Sequence, residues 1–355
     1  MAVKNQNIIE VPTLLDALDY ISNMEINEQD NDEMHLRAPG YEMEGCFTLF
    51  QDENGVGHLY PVNLSHNMYF RGERKIYPHC YASIYRDSSK ENIFLERLKN
   101  CELSLLVEDW PLTQTFRDSL NFPSYMGPVH IPLSIDSEAL AQHYGINTDL
   151  IDVTVDKWVA AFFACTYMDK DGVFKPVTDE SQYGMINIYY GKSWNFPFND
   201  PELKTIGLQP FSRPGEQAGY VVKMQPGEDF YDKCSIRIKF RHNARVSQLV
   251  FNYTNRANKL FPKSILEEKV EAIKKSKTFS KVAYNKCKSL YYNNIDDSVF
   301  EGYINSLKIS ITLTPPVTFI DAEKEKIKEK LPGQLQKMAS KLVLPNFPPI
   351  IKLKK

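Results

Sequence analysis

Ala141-Gln142-His143-Tyr144-Gly145-Ile146-Asn147-Thr148-Asp149-Leu150-Ile151-Asp152-Val153-Thr154 is the stretch on which the reading of the fold turns. Gly145 suits the left-handed close of a short helix, a tight turn follows, and the small polar run up to Thr154 predicts the opening of another helix. A corner of this kind can line a pocket. Downstream, Trp158, Ala161, Phe162 and Cys165 fall at the i, i+3, i+4, i+7 spacing of a helix buried along one side. Upstream, the counterpart is Phe70-Arg71-Gly72-Glu73, which follows Met68 and Tyr69. That apolar pair reads as the end of a buried strand. A guanidinium there is aimed either at an anion or at an ion-pair partner such as Glu73 or Asp87.

The rest of the chain frames these two runs. Thr13 followed by Leu14, Leu15, Ala17, Leu18 and Ile21 predicts a capped amphipathic helix, with an acidic loop near 25–40. Cys46–Phe50 and His58–Val62 flank Asp52-Glu53-Asn54-Gly55 as a β-hairpin. Residues 80–120 read as mainly helical, and the proline-rich stretch from Asn121 to Pro132 as a loop that can act as a lid. Met185–Tyr190, Tyr220–Met224, Ile236–Phe240 and Leu249–Tyr253 read as strands, and Leu307–Leu313 as the cleanest strand, with one wet face. A helix over Asp321–Lys330 is expected to end at Pro332-Gly333.

A chain of 355 residues with 43% hydrophobic and 25% charged residues reads as globular, either as two domains or as one with insertions. There is no run of about 20 apolar residues and the first residues lack an apolar signal core, so no membrane partner and a cytoplasmic location are expected. The six cysteines are far apart without Cys-x-x-Cys, which predicts structural thiols, and the histidines lack ligand spacing, which predicts no metal. Neither a phosphate-binding Gly-x-x-x-x-Gly-Lys loop nor a Gly-x-Ser-x-Gly nucleophile setting is present. The net charge of −3 conceals an acidic first 60 residues and a basic remainder. Lys274, Lys275, Lys277 and Lys281, close to Phe279, Tyr284, Tyr291 and Tyr292, are either a nucleic-acid grip or a solvated helix face.

The two runs and their order resemble the FRG domain. The Phe-Arg-Gly start is present at residues 70–72, and the second signature is matched by Ala141–Gly145, Thr148, Leu150-Ile151-Asp152, Thr154 and the Ala- and Phe-rich run Val159–Ala164. The likeness extends over roughly 66–265 and is carried mainly by the second signature. The wider order (strand-Arg-Gly, polar triplet, glutamate before a strand) is similar to the arginine-class ADP-ribosyltransferases. The resemblance implies an α+β fold with an ADP-ribosyltransferase-like split β-sheet core and helical insertions. It divides the chain into an acidic segment 1–60, a core 61–265 and a basic segment 266–355.

The same resemblance implies NAD as substrate, Arg71 and Glu216 as catalytic residues, and Asp152-Val153-Thr154 as the polar triplet. Glu216 lies in Arg213-Pro214-Gly215-Glu216-Gln217, directly before the strand at Tyr220. A fixed carboxylate there can stabilise positive charge developing on a ribose; as an alternative Glu216 is a surface acid and Gln217 the family position. Gly72, Arg86, Gln142, His143, Tyr144, Asp152, Thr154 and Gln217 complete the expected NAD contacts. Each has a plainer alternative: Tyr144 and His143 packed inward, Arg86 solvated, Asp152 holding Arg71. The implied activity is ADP-ribosyl transfer to a macromolecule, nucleic acid before protein, by a toxin or phage-defence effector with a possible antitoxin or chaperone. NAD hydrolysis and non-catalytic nucleotide binding are the alternatives.

Overall fold

The computed structural model describes residues 7–31, 46–52, 54–61, 67–87, 89–118, 120–122, 128–191, 202–293, 295–342 and 352–353. Its centre is a mixed seven-stranded sheet in the order β1-β13-β10-β4-β7-β12-β11. These strands are β1 (Ile8–Val11), β4 (Met68–Glu73), β7 (Leu150–Thr154), β10 (Tyr183–Tyr190), β11 (Leu203–Thr205), β12 (Gly219–Lys223) and β13 (Ile236–Arg241). Only β1 and β13 run parallel; every other neighbour in the sheet is antiparallel. Between β4 and β7 the ladder consists of one pair, Phe70 opposite Thr154. The sheet opens there.

Minor strands lie outside this sheet: the hairpin β2 (Phe47–Gln51) with β3 (Gly57–Pro61), β5 (Leu120–Phe122), β6 (Val129–His130) and β16 (Lys352–Leu353) together, β8 (Thr166–Met168) with β9 (Phe174–Pro176), and β14 (Thr278–Ser280) with β15 (Ser310–Thr312). Twelve α-helices are found among the described residues: α1 (Leu14–Asn31), α2 (Lys90–Glu108), α3 (Pro111–Asp118), α4 (Ser137–His143), α5 (Lys157–Cys165), α6 (Ser212–Glu216), α7 (Ala244–Tyr253), α8 (Ile265–Lys275), α9 (Lys281–Tyr291), α10 (Asp297–Leu307), α11 (Asp321–Glu329) and α12 (Leu331–Ala339). None is long and apolar enough to cross a membrane.

One face of the sheet is covered by α1, α5 and α7. Alternation along β4 and β10 sends Met68, Phe70, Ile186 and Ile188 to that face, where they join Leu14, Leu18, Ile21, Phe162 and Val250 in one buried cluster. Gly72 is the point of closest approach: a Cβ there would lie 1.8 Å from the carbonyl oxygen of Ala160. The small residues of Val159–Ala164 therefore serve to bring α5 onto the strand. The six cysteines are free thiols, and Cys80, Cys101, Cys165 and Cys287 are buried.

Several expectations are corrected. The polar run Asp152–Thr154 ends a strand, and the helix begins only after Asp156, whose carboxylate caps Trp158 and Val159. Leu249–Tyr253 belongs to helix α7: Val246, Val250 and Phe251 are buried while Leu249 and Tyr253 are exposed, a helical stripe that a short apolar run does not disclose. Of Leu307–Leu313 only Ser310–Thr312 is strand, because α10 continues through Leu307 and Lys308 closes it in the left-handed region. Pro332 stands in the first turn of α12, so it starts one helix as well as ending another. The acidic stretch is helical as far as Asn31 and then lies outside the described residues, as do Val62 of the hairpin and 123–127 of the expected lid. Packing crosses the boundaries expected near 60 and 265: β1 is an edge of the central sheet, and Leu266, Val270, Ile273, Phe319 and Leu335 share a cluster with Trp110 and Tyr144.

Candidate functional site

The opening between β4 and β7 forms a cleft of about 170 Å³ lined by Phe70, Arg71, Gly72, His143, Asp152, Val153, Thr154, Val159, Ala160, Phe163, Gln217 and Gly219. Arg71 stands on one lip and bridges the gap, its Nη1 donating to the backbone carbonyl of Asp152 at 2.9 Å. Its Nε donates to Glu73 Oε1 at 3.3 Å. Burial works against the charge of this guanidinium, but Cys80, Glu73 and Asp152 outweigh it and hold the pKa above its ordinary value. The two alternatives for Arg71 are thus compatible, since it is ion-paired and also lines the cleft.

The second signature supplies the other lip. Helix α4 starts at Asp136, which caps Glu138 and Ala139, and ends at Tyr144. Gly145 follows at φ +82°, with Gly145 N–H donating to Gln142 O and Ile146 N–H to Ala141 O, so the expected glycine closure is a Schellman turn. That turn sets Gln142 and His143 against β7. Thr148 Oγ1 donates to Gln142 Oε1 at 2.7 Å, which turns the amide so that Nε2 donates to Asp152 Oδ2 at 3.2 Å. The Ser83 hydroxyl adds a bond to the same Gln142 oxygen.

Asp152 Oδ1 and His143 Nε2 lie 3.4 Å apart, and each is buried without a hydrogen-bond partner among the described residues. Burial lowers the His143 pKa below its ordinary 6.5, against the pull of Asp152, so the ring is neutral at pH 7. Asp152 itself keeps a side chain 37% exposed, and it is the only acidic residue among those lining the cleft. The absence of a side chain at Gly219 makes room for the imidazole, because a Cβ there would lie 3.2 Å from Nε2.

Thr154 and Gln217 reach the cleft with their polar atoms already engaged. The Thr154 hydroxyl donates to Gln217 O at 2.7 Å and accepts from Asp156 N–H, tying the end of β7 to the turn after α6. Gln217 Nε2 donates to Leu260 O at 3.1 Å.

The expected catalytic carboxylate is not in this cleft. Glu216 ends α6 and faces a separate depression beside α12, where Lys337 and Lys341 approach its Oε1 at 3.0 and 2.9 Å. Burial opposes its charge, yet the bonds from Lys341 and Lys337 hold the carboxyl below its ordinary value. Its neighbour Gln217 takes the place in the cleft lining, because successive residues of a helical turn diverge by about 100°. Tyr144 is likewise corrected: it is buried beneath the Arg213 guanidinium, 4.4 Å from the ring centroid, and does not line the cleft. Arg86 is exposed and donates to Tyr81 O, also away from the cleft. Gly72 acts through packing, and Gln142 through Asp152.

The basic segment does not present rings for base stacking. Phe279 and Tyr284 are buried, and Tyr291 and Tyr292 lie under Arg97 at 4.7 and 5.2 Å. Lys274 pairs with Glu271, which Lys275 also approaches, while Lys277 and Lys281 are exposed on the surface. The plainer alternative, a solvated face, describes this segment. Phe163 is the residue the sequence reading passed over: it is the partly buried aromatic that lines the cleft.

Nothing among curated proteins and nothing among solved structures matches the chain. The family model of the FRG domain matches residues 66–172, a span that contains Arg71, Gln142, His143, Asp152, Thr154 and α5 but stops short of Gln217 and Gly219. By that match, the chain carries an FRG domain.

Proposed function

We propose that the cleft binds NAD and that the protein transfers its ADP-ribosyl group to a macromolecule. The observation that carries this reading is the opening of the sheet after the single Phe70–Thr154 pair, with Arg71 on one lip and Asp152 on the other. An opened sheet of this kind is what the resemblance to arginine-class ADP-ribosyltransferases leads one to expect. The residues fit the ligand: Arg71 Nη2 has no hydrogen-bond partner among the described residues, and Asp152 Oδ1 and His143 Nε2 are buried and unsatisfied. An unmet donor on a guanidinium suits a phosphate oxygen, and an unmet carboxylate suits a ribose. The enclosed space holds a ring and its sugar rather than a whole dinucleotide, which then extends along the surface.

NAD supplies an N-glycosidic bond whose cleavage builds positive charge on the ribose and releases neutral nicotinamide, so no acid is needed for the leaving group. Asp152 takes the role expected of Glu216 and stabilises that charge electrostatically. A neutral His143 beside it can take a proton from the attacking group. Phe163 offers a flat apolar face for a ring. The reading places the protein in the cytoplasm, where NAD is present, and a chain that modifies a macromolecule of its own cell acts as a toxin with need of a restraining partner.

Incubation of the purified protein with adenylate-labelled NAD, alone and with RNA, DNA or cell protein, tests this reading. Label in a macromolecular fraction that disappears in Asp152→Asn supports transfer. Free ADP-ribose as sole product moves the assignment to hydrolysis, and intact NAD in every mixture overturns it.

A further inference from the structure

Arg71 would be a poor anion ligand if its long side chain swung freely at the edge of the opening, and a buried network prevents this. Glu73, two residues on and on the same side of β4, is 8% exposed. Its Oε1 accepts from Arg71 Nε; its Oε2 accepts from Tyr231 Oη at 2.6 Å and from Asn187 Nδ2 at 3.1 Å. Asn187 cannot flip, because its Oδ1 accepts from Arg237 Nε at 2.9 Å. The Arg237 guanidinium lies 3.6 Å over the Tyr231 ring, which closes the circuit. Register puts Arg71, Asn187 and Arg237 in one row across β4, β10 and β13. A carboxyl group sunk this deeply is costly unless its partners are fixed, and here they are fixed from the neighbouring strands β10 and β13 and from the turn at Phe230–Lys233.

We propose that Glu73 is a positioning residue for the anion site: clamped by Tyr231 and Asn187, it holds the Arg71 guanidinium against the Asp152 carbonyl so that the remaining donors meet a phosphate of the ligand. The proposal rests on the nucleotide reading above and deepens it. Glu73 itself touches no ligand, so its effect passes entirely through Arg71.

The test is a double-mutant cycle read by calorimetry with NAD, ADP-ribose, ADP and inorganic pyrophosphate as probes. The variants are Arg71→Ala, the pair Glu73→Gln with Tyr231→Phe, Tyr231→Phe alone, and all three changes together; the phenylalanine removes the hydroxyl that could reverse its bond, accept from the new amide and preserve the clamp. The Glu73→Gln pair is expected to weaken binding about tenfold beyond Tyr231→Phe alone, and to weaken it no further once Arg71 is alanine. Wild-type affinity in the pair, or an equal loss in the Arg71→Ala background, overturns the proposal. A nucleotide reading that fails shows differently, as Arg71→Ala binding like wild type or as no probe binding the wild type. The Arg71 Nε–H resonance then decides the positioning role: it is expected to be protected from exchange in wild type and to exchange rapidly in the Glu73→Gln pair, and equal protection in both overturns the proposal.

Discussion

Arg71 and Asp152, 81 residues apart, meet at 2.9 Å through a side-chain N–H and a backbone carbonyl at the place where β4 and β7 cease to pair. Had the ladder continued antiparallel from Phe70 and Thr154, Gly72 would face Asp152; instead the guanidinium takes up a strand carbonyl that has lost its ladder partner. The bond holds the opening at a set width, while Gln142 Nε2 on Oδ2 fixes the Asp152 carboxylate. The chemistry proposed for the cleft depends on that arrangement.

Orientation of Asp152 depends on a residue with no place in the cleft lining. Thr148→Val removes the donor that fixes the Gln142 amide and the acceptor for Leu150 N–H. Turnover is expected to fall about tenfold with NAD affinity little changed, and stability to drop by about 1–2 kcal/mol. Steady-state kinetics and a denaturant melt check both.

The two carboxylates separate cleanly. Asp152→Asn is expected to lower turnover by about 100-fold or more while the protein stays folded. Glu216→Gln gives up partly solvated ion pairs with Lys337 and Lys341, so it should cost about 1 kcal/mol and leave turnover near wild type. A dead Glu216→Gln enzyme with an unchanged melting point would return the catalytic role to that residue.

Two glycines answer differently to the same substitution. Gly72→Ala drives a methyl group into the backbone of α5, where Ala160 O would be 1.8 Å away, and is expected to cost about 3 kcal/mol or more. Gly219→Ala meets the edge of the His143 ring at 3.2 Å and the Ile206 methyl at an ordinary 3.5 Å, so the fold should survive while turnover falls about tenfold. Thermal unfolding of both variants, with activity of the second, tests the contrast.

Acid should weaken the fold through its buried imidazoles. Burial lowers the pKa values of His143 and His242, whereas the unfolded chain protonates them near 6.5. The unfolded state therefore binds more protons below that pH, and stability present above 6.5 is lost as pH falls, by at most about 1.4 kcal/mol per pH unit for each ring. Glu102 and Glu138, whose carboxyls burial raises, act in the opposite sense. The measurement is thus the difference between wild type and His143→Gln in urea melts from pH 7.5 to 5, where the variant is expected to show the shallower slope.

Much of the site was legible because its members sit in two local patterns whose physics is short-range. Gly145 announced the helix closure, and Phe70-Arg71-Gly72 the strand at the opening. What escaped were features set by direction and by distance. Phe163 was hidden behind Phe162, which fits the buried stripe of α5, although a residue one step off that stripe must face elsewhere. Glu216 and Gln217 differ by one position, and only the existence of α6 decides which of them turns inward. The lysines that claim Glu216 come from α12 and the turn just after it, more than a hundred residues later, and no local pattern forecasts that pairing. The aromatics near Lys274 illustrate the same limit, since a list of rings does not say that they fill a core.

The link from Glu216 to α12 bears on how the protein is handled. Gln217, a wall of the cleft, is the very next residue, so the last described helix acts as a buttress behind that cleft. Trimming the chain before Lys337, or fusing a bulky tag against that helix, is predicted to slacken the chamber from behind and to mimic an active-site defect with every cleft residue intact.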